Sequence, residues 1–337
     1  MRLGPITFRY NDPIGTVPVN KAVALAAFLS LTIVAREKPI ASTFSIVARD
    51  PATGELGVAV ASRYFAVGSV VPWAKAGVGA VATQSFVNPA FGPRGLDLLA
   101  KGMTAEETLK ALLSNDDDPN GRQVGIVSAK GDSVTYSGPK CNPWAGGRRG
   151  PNYAIQGNIL TGEAVVAAME ESFLATKGTL ASRLYAALAA GDSKGGDSRG
   201  RQSAALIVVK EGAGAGGYND RAIDIRVDDN SDPFRELGRL LKLAETNYLW
   251  NTAWTAFERK QFPTALDAQE RAALLAPENA ELLYDLAAIR LANGHRAEAL
   301  DALTKALTIN PKLKRQASKD NDLTALRSDA TFQALVK

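Results

Sequence analysis

Ser42, Thr43 and Ser45 place three hydroxyls within four positions, at the head of a run of strand-forming residues. A hydroxyl is a weak nucleophile unless a base takes its proton. The usual base is missing: the 337 residues include one histidine, His295, and one cysteine, Cys141. Ser-His-Asp and Cys-His catalysis are therefore all but excluded. So are an intramolecular disulfide and any multi-cysteine zinc or iron–sulfur site. A hydroxyl can still be activated if it belongs to the first residue of the mature chain, because that residue's own α-amine is then the base. A free α-amine has a pKa of roughly 7.7–8.0, so a useful fraction is neutral near pH 7. Covalent geometry holds it a few ångströms from its own Oγ. Removing whatever precedes such a residue creates the site.

Something removable does precede it. Asn20-Lys21 leads into Ala22–Ala35, an uncharged run of 14 residues that ends at Arg36-Glu37-Lys38. That is short for a membrane span of roughly 20 residues but fits the apolar core of a secretory signal, and no amphipathic period marks it as a buried helix. Residues 1–41 read as a leader, a signal peptide or propeptide, and the expected location is periplasmic or extracellular; with an uncut leader that is no signal, the protein stays cytoplasmic. Ala35 and Ala41 both offer small-residue cleavage points. A cut after Ala41 leaves Ser42 first.

The elements that must position these hydroxyls follow in blocks. Phe44–Arg49 and Leu56–Ser62 read as a hairpin across Asp50-Pro51-Ala52-Thr53-Gly54, with Val78–Gln84 as a third strand. Arg94–Lys101 and Ala105–Leu113 read as helices, the second opened by a capping box from Thr104 to Glu107. Gln123–Ser128 and Ser133–Tyr136 form another hairpin, followed by strand Tyr153–Gly157, helices Glu163–Ala175 and Leu180–Ala190, and strands Ser203–Val209 and Ala222–Val227. Antiparallel strands in blocks between helix pairs predict an α+β fold in layers over residues 42–233, not a doubly wound parallel sheet.

Residues 234–337 change character and read as an all-α region. Pro277 and Pro311 lie 34 residues apart, and the same offset pairs Ala253 with Ala287, Ala265 with Ala299, Leu266 with Leu300 and Ala272 with Ala306. A 34-residue helix-turn-helix period with small residues at helix crossings resembles tetratricopeptide repeats. Two copies and a tail helix near Asp329–Val336 are expected to dock on a helix at Phe234–Leu243.

Several tempting motifs fail. Gly212–Gly217 satisfies G-x-G-x-x-G, but a further strand follows, so no helix N-terminus faces a pyrophosphate and the segment reads as a hairpin loop. Asp197 stands where a Walker motif spaced from Gly191 and Gly196 needs lysine. Cys141 reads as a small buried hydrophobe and Asp116-Asp117-Asp118 as a solvated turn. No motif requires a metal or a cofactor. The net charge of +4 comes mostly from residues 1–41, which carry +3. A nucleic-acid partner, which wants basic residues on the folded part, is not expected.

The segments Ser42–Asp50, Gly57–Arg63, Val71–Ala74, Gly77–Gln84, Cys141–Gly146, Tyr153–Asn158 and Gly195–Leu206 together resemble DUF1028, a bacterial family of uncharacterised function placed in the N-terminal-nucleophile hydrolase superfamily. The likeness spans about residues 43–230. It implies a four-layer αββα sandwich and matches Thr43 to the residue at which the family's cytosolic members begin their fold. Thr43 becomes the first candidate nucleophile and Ser42 the second, with Ser45 inside the strand. The superfamily carries a cationic residue near the nucleophile, which points to Arg63 and then Lys75; Arg63 could instead pair with Asp50 or Asp197. Gln84, Asn88 and Asn158, at or just after strand ends, could hold a substrate carbonyl or donate to an oxyanion, or cap loop backbone. Asp197, Arg199 and Arg201 lie in a Gly-flanked loop where an arginine could grip a substrate carboxylate. The implied reaction is hydrolysis of a small amide or peptide C–N bond. The rival reading is a non-catalytic binding protein that recruits a protein partner through its helical repeats; a weaker one is an envelope assembly factor whose leader is never cut. Sheet edges in that superfamily are often covered by assembly, which is compatible with a homo-oligomer.

Overall fold

A computed structural model describes residues 40–41 and 43–337, with side chains from Thr43 onward. The leader up to residue 39 and Ser42 lie outside the described residues, and with them the apolar run and the Ser42 candidate.

Long β-branched runs make the central strands. β1 is Ile40–Ala41, β2 Thr43–Arg49, β3 Leu56–Ser62, β4 Pro72–Lys75, β5 Gly79–Phe86, β6 Arg122–Ser128, β7 Ser133–Ser137, β8 Gly146–Gly150, β9 Tyr153–Asn158, β10 Ser203–Val209 and β11 Arg221–Val227. They form two antiparallel sheets. One runs β11-β10-β3-β2-β9-β8; the other runs β1-β5-β6-β7, with β4 also on β5. Nearly every residue of β2, β3, β6 and β9 is buried, on both faces of the strand. The reason is that each sheet is covered twice. Val47, Val58, Val60, Ala80, Ala82, Val127 and Ala154 meet between the sheets. Outside the second sheet, helices α1 (Phe91–Ala100) and α2 (Ala105–Ser114) pack Phe91, Leu99 and Leu109 onto Val81, Val124 and Ile126. Outside the first, α3 (Ala164–Ala175) and α4 (Leu180–Ser193) pack Met169, Phe173, Leu184 and Leu188 onto Phe44, Ile46 and Leu206.

An all-helical region follows: α5 Pro233–Glu258, α6 Phe262–Leu275, α7 Ala280–Ala292 and α8 Arg296–Ile309, then the short α9 Lys314–Ala317 and α10 Ala330–Leu335. The alanines spaced 34 residues apart, Ala253 and Ala287, Ala265 and Ala299, Ala272 and Ala306, are all fully buried, as close helix crossings require. Asp285 on α7 ties this region together by accepting from the Trp250 and Trp254 indoles of α5 at 2.7 and 2.8 Å.

The two hairpins, the Thr104–Glu107 capping box and the turn at Gly212–Gly217 stand where the sequence puts them. Some elements differ. β1, β4 and β8 have no counterpart in the sequence reading. The helix expected at Phe234–Leu243 runs on to Glu258, because no proline or glycine breaks it there. Its first turns bury Phe234, Leu237 and Leu241 in the same apolar cluster as the first sheet, and the Phe234 ring stacks on Phe44 at 6.2 Å. Asp116 is no solvated turn: its side chain is 3% exposed and lies 2.8 Å from Arg122 Nε.

Candidate functional site

β2 alternates its side chains between two environments. Phe44 and Ile46 face the helices, whereas Thr43, Ser45 and Val47 share the opposite parity, that of the space between the sheets. At one end that space is filled by Val47 and its aliphatic neighbours. At the other it is filled by hydroxyls and amides, and Thr43, Ser45, Ser62, Gln84, Gln123, Gln156 and Asn158 are all buried. Buried polar groups without partners cost about 1–3 kcal/mol each, so such a cluster persists only if its members satisfy one another.

They nearly do. Gln84 Nε2 donates to the Thr43 carbonyl at 3.1 Å and to Gln123 Oε1 at 2.8 Å. Gln123 Nε2 donates to the Gly157 carbonyl and to Ser137 Oγ, both at 2.7 Å. Ser45 donates to Gln84 Oε1 at 2.6 Å and accepts from Gln156 Nε2 at 2.6 Å. Close approach of the sheets makes this possible: a Cβ on Gly125 would lie 2.1 Å from Gln156 Oε1.

The two main-chain carbonyls fix the polarity of the network. A carbonyl only accepts, so Gln84 and Gln123 must both turn their NH2 groups toward Thr43 O and Gly157 O. Gln123 Oε1 is then the acceptor between them, and Asn158 must offer it Nδ2, at 2.8 Å. Asn158 Oδ1 is thereby turned elsewhere. It is buried and has no hydrogen-bond partner among the described residues. Asn158 lies directly across the ladder from Thr43 on β9, and Ser62 lies across from Thr43 on β3. The Thr43 hydroxyl donates to Ser62 Oγ at 3.3 Å.

The residues named from the sequence do not all come together. Thr43, Gln84 and Asn158 come together, joined by Gln123. Arg63, Asp197 and Arg199 form a second group at the rim, next to Ser62. There Asp197 accepts from the Arg63 main-chain N–H at 2.9 Å and from Arg199 NH2 at 2.8 Å, and the Arg63 guanidinium reaches the Arg199 carbonyl. Of the two pairings open to Arg63, Asp197 is engaged through the main chain, while Asp50 faces Arg183 at 3.7 Å. Arg201 forms a two-pronged pair with Asp192, both bonds at 2.7 Å. Asp197, Arg201 and Asp192 line a cavity of about 110 Å³ together with Phe44, Ser62, Gly200, Ser203 and Phe234; Thr43, Gln84 and Asn158 are not in its lining.

Asn88 stands apart. Its Nδ2 donates to Asp116 Oδ2 at 2.7 Å, and Asp116 also takes Arg122 Nε and NH2. Burial pushes the Asp116 carboxyl up, but the hydrogen bonds from Arg122, the Asp118 N–H and Asn88 outweigh it and hold the group below its ordinary value. The Arg122 guanidinium also binds the Phe86 carbonyl, so this knot anchors the end of β5. Lys75 faces Gly79, five residues from Gln84 along β5 and so about 17 Å away at strand rise. Cys141 is half-buried beside the Gly121 and Arg122 carbonyls, and burial pushes its thiol up, which disfavours the thiolate a nucleophile needs. Among the described residues no group of three or more His, Cys, Asp or Glu is placed to hold a metal ion.

Gln123 and Gln156 are the functional positions the sequence reading passes over. Parity is the signal that could find them: Gln156 is two residues from buried Ala154, and Gln123 four from buried Val127.

Residues 43–237 match DUF1028, a family of unknown function. The crystal structure of protein SPO2555 from Silicibacter pomeroyi, itself described as DUF1028, is similar with a TM-score of 0.55 and 28% identity, over 60% of this chain and 89% of that one. No curated protein sequence matches. With the match covering more than half its length and starting at the head of β2, the chain belongs to the DUF1028 family.

Proposed function

We propose that this chain is an exported N-terminal-nucleophile amidohydrolase, active once residues 1–42 are removed and Thr43 is the first residue. Helix pair, sheet, sheet, helix pair is the αββα order expected of that superfamily. The observation that carries the reading is the setting of Thr43: first residue of a central strand, hydroxyl toward the inter-sheet space, with Asn158 Oδ1, which has no hydrogen-bond partner among the described residues, on the neighbouring strand.

In this mechanism Thr43 Oγ attacks the carbonyl carbon of an amide or peptide bond and its α-amine takes the hydroxyl proton. The C–N bond breaks as that proton passes to the leaving amine, and water then hydrolyses the acyl-threonine ester. Burial disfavours an ammonium, which favours the neutral α-amine as the base. Asn158 Oδ1 is an acceptor suited to orienting that amine. One Nδ2 proton of Asn158 is spent on Gln123, and the other, with the Ser62 hydroxyl, is a candidate donor to the oxyanion. Amino-terminal sequencing of the purified protein, with mapping of a β-lactone adduct, tests this: Thr43 should be both the first residue and the acylated one, and an adduct elsewhere rejects it.

A second reading, a partner-binding protein, draws on a groove of about 630 Å³ between the Asp50–Glu55 turn, the start of α4, and α5–α6, beside which Leu274 is 80% exposed. Loss of a co-purifying protein on deletion of residues 246–337, with the body still folded, favours it.

A further inference from the structure

The outer edge of β5 is shared by two strands. β6 runs along the inner edge from Gly79 to Ser85, while on the outer edge β4 covers Gly79–Ala82 and β1 covers the end, with Ile40 opposite Phe86 and Ala41 opposite Ser85. By Thr43 the chain has left that sheet and entered the other, between β3 and β9. Ala41 thus pairs in one sheet and Thr43 in the other. The head of β2 therefore lies beside the end of β5, with Gln84, the neighbour of Ser85, holding the Thr43 carbonyl. Ile40 and Ala41 lie antiparallel on the end of β5.

Removing the leader uncovers this edge beside the nucleophile. Ser85 is 1% exposed and takes a left-handed backbone, φ 67°, so β5 turns here within the interior. The Asn88–Asp116–Arg122 knot holds the next residue, Phe86, by its carbonyl. A fixed strand end with main-chain groups left to pair is a site for another extended chain. Resting on the reading of Thr43 as nucleophile, we infer that the acyl side of the substrate is a peptide of at least three residues. Its second and third residues before the scissile bond pair antiparallel with Ser85 and Phe86, where Ala41 and Ile40 now sit. Recognition is by main chain, so the substrate class is an extended peptide rather than a compact small amide.

The test uses the processed protein recovered from cells expressing the full chain, and coumarylamides of acetyl-Ser, acetyl-Pro-Ile-Ala-Ser and acetyl-Ala-Ala-Ala-Ser. Both tetrapeptides should exceed acetyl-Ser in kcat/KM by about tenfold, the scale of one or two main-chain hydrogen bonds. N-methylation of the second or the third residue before the scissile bond, whichever donates to β5, should remove that gain. Equal turnover of short and long amides, or a gain that survives methylation at both positions, overturns the slot while leaving the nucleophile standing. A protein with residues upstream of Thr43 intact and no β-lactone adduct on Thr43 overturns the nucleophile, and the slot with it.

Discussion

The two ends of the space between the sheets are built from the same strands but filled with opposite chemistry. Toward the Asp50 turn, Val47, Val58, Val60, Ala80, Ala82 and Val127 make an apolar layer. Toward Thr43, the same strands present Ser45, Ser62, Gln84, Gln123, Gln156 and Asn158, equally buried. An all-apolar filling would fold at least as well, since a polar network gains little net stability and is costly when incomplete. Among the described residues the amide end is incomplete at one atom, Asn158 Oδ1. Stability does not call for this arrangement, and the proposed reaction at Thr43 would give it a use.

The comparison breaks first at the nucleophile. Thr43→Ala should lower amide hydrolysis by ~10³-fold or more while leaving the unfolding midpoint within a few degrees, because one small hydroxyl is lost at a site where catalysis has no substitute. Next, Gln123→Leu at the polar end should cost about 2–4 kcal/mol in denaturant unfolding, by orphaning Gly157 O, Ser137 and the Gln84 and Asn158 amides. It should also lower kcat by about 100-fold through misplacement of Asn158. Val60→Ala at the apolar end should cost about 2 kcal/mol by cavity formation and leave kcat unchanged. If both variants affect turnover alike, the two ends do not differ in role.

A pH experiment sharpens the account of how β5 is held. Asp116 is lowered in the folded protein, so the stability it contributes is complete above the ordinary carboxylate pKa of about 4 and is lost as pH falls from there through the lowered value. Asp116→Asn should therefore reduce stability at pH 7 and flatten its dependence on pH between about 4 and 2, measured by unfolding across that range. The smallest effect belongs to Thr104→Ala, remote from the site. It removes the capping box of α2 and should cost about 1 kcal/mol with no change in turnover.

What the sequence shows of this molecule depends on whether a residue's type betrays its setting. Valine-rich runs at Leu56–Ser62 and Ser203–Val209 can be little else than buried strands. Gly146-Gly147-Arg148-Arg149-Gly150 and Pro72-Trp73-Ala74-Lys75 lack that signature because both strands lie at sheet edges, where composition is free. α5 hides its length because the repeat period suggests a break that no residue enforces. Thr43 and Asn158 can be named from the sequence, but their juxtaposition across one ladder cannot, since it depends on the register of β2 with β9 over more than 100 residues of separation. Gln123 and Gln156 look like solvated strand residues until the second sheet covers them. Arg199 and Arg201 look available for a ligand, and only the structure shows their guanidinium groups engaged with Asp197 and Asp192.

One measurement bears on the whole account: intact and peptide mass spectrometry of the active protein after acylation by a β-lactone. A polypeptide beginning at Thr43, carrying one acyl group on that residue, is the predicted result. Full hydrolytic activity in a preparation whose chain still continues upstream of Thr43 would contradict it.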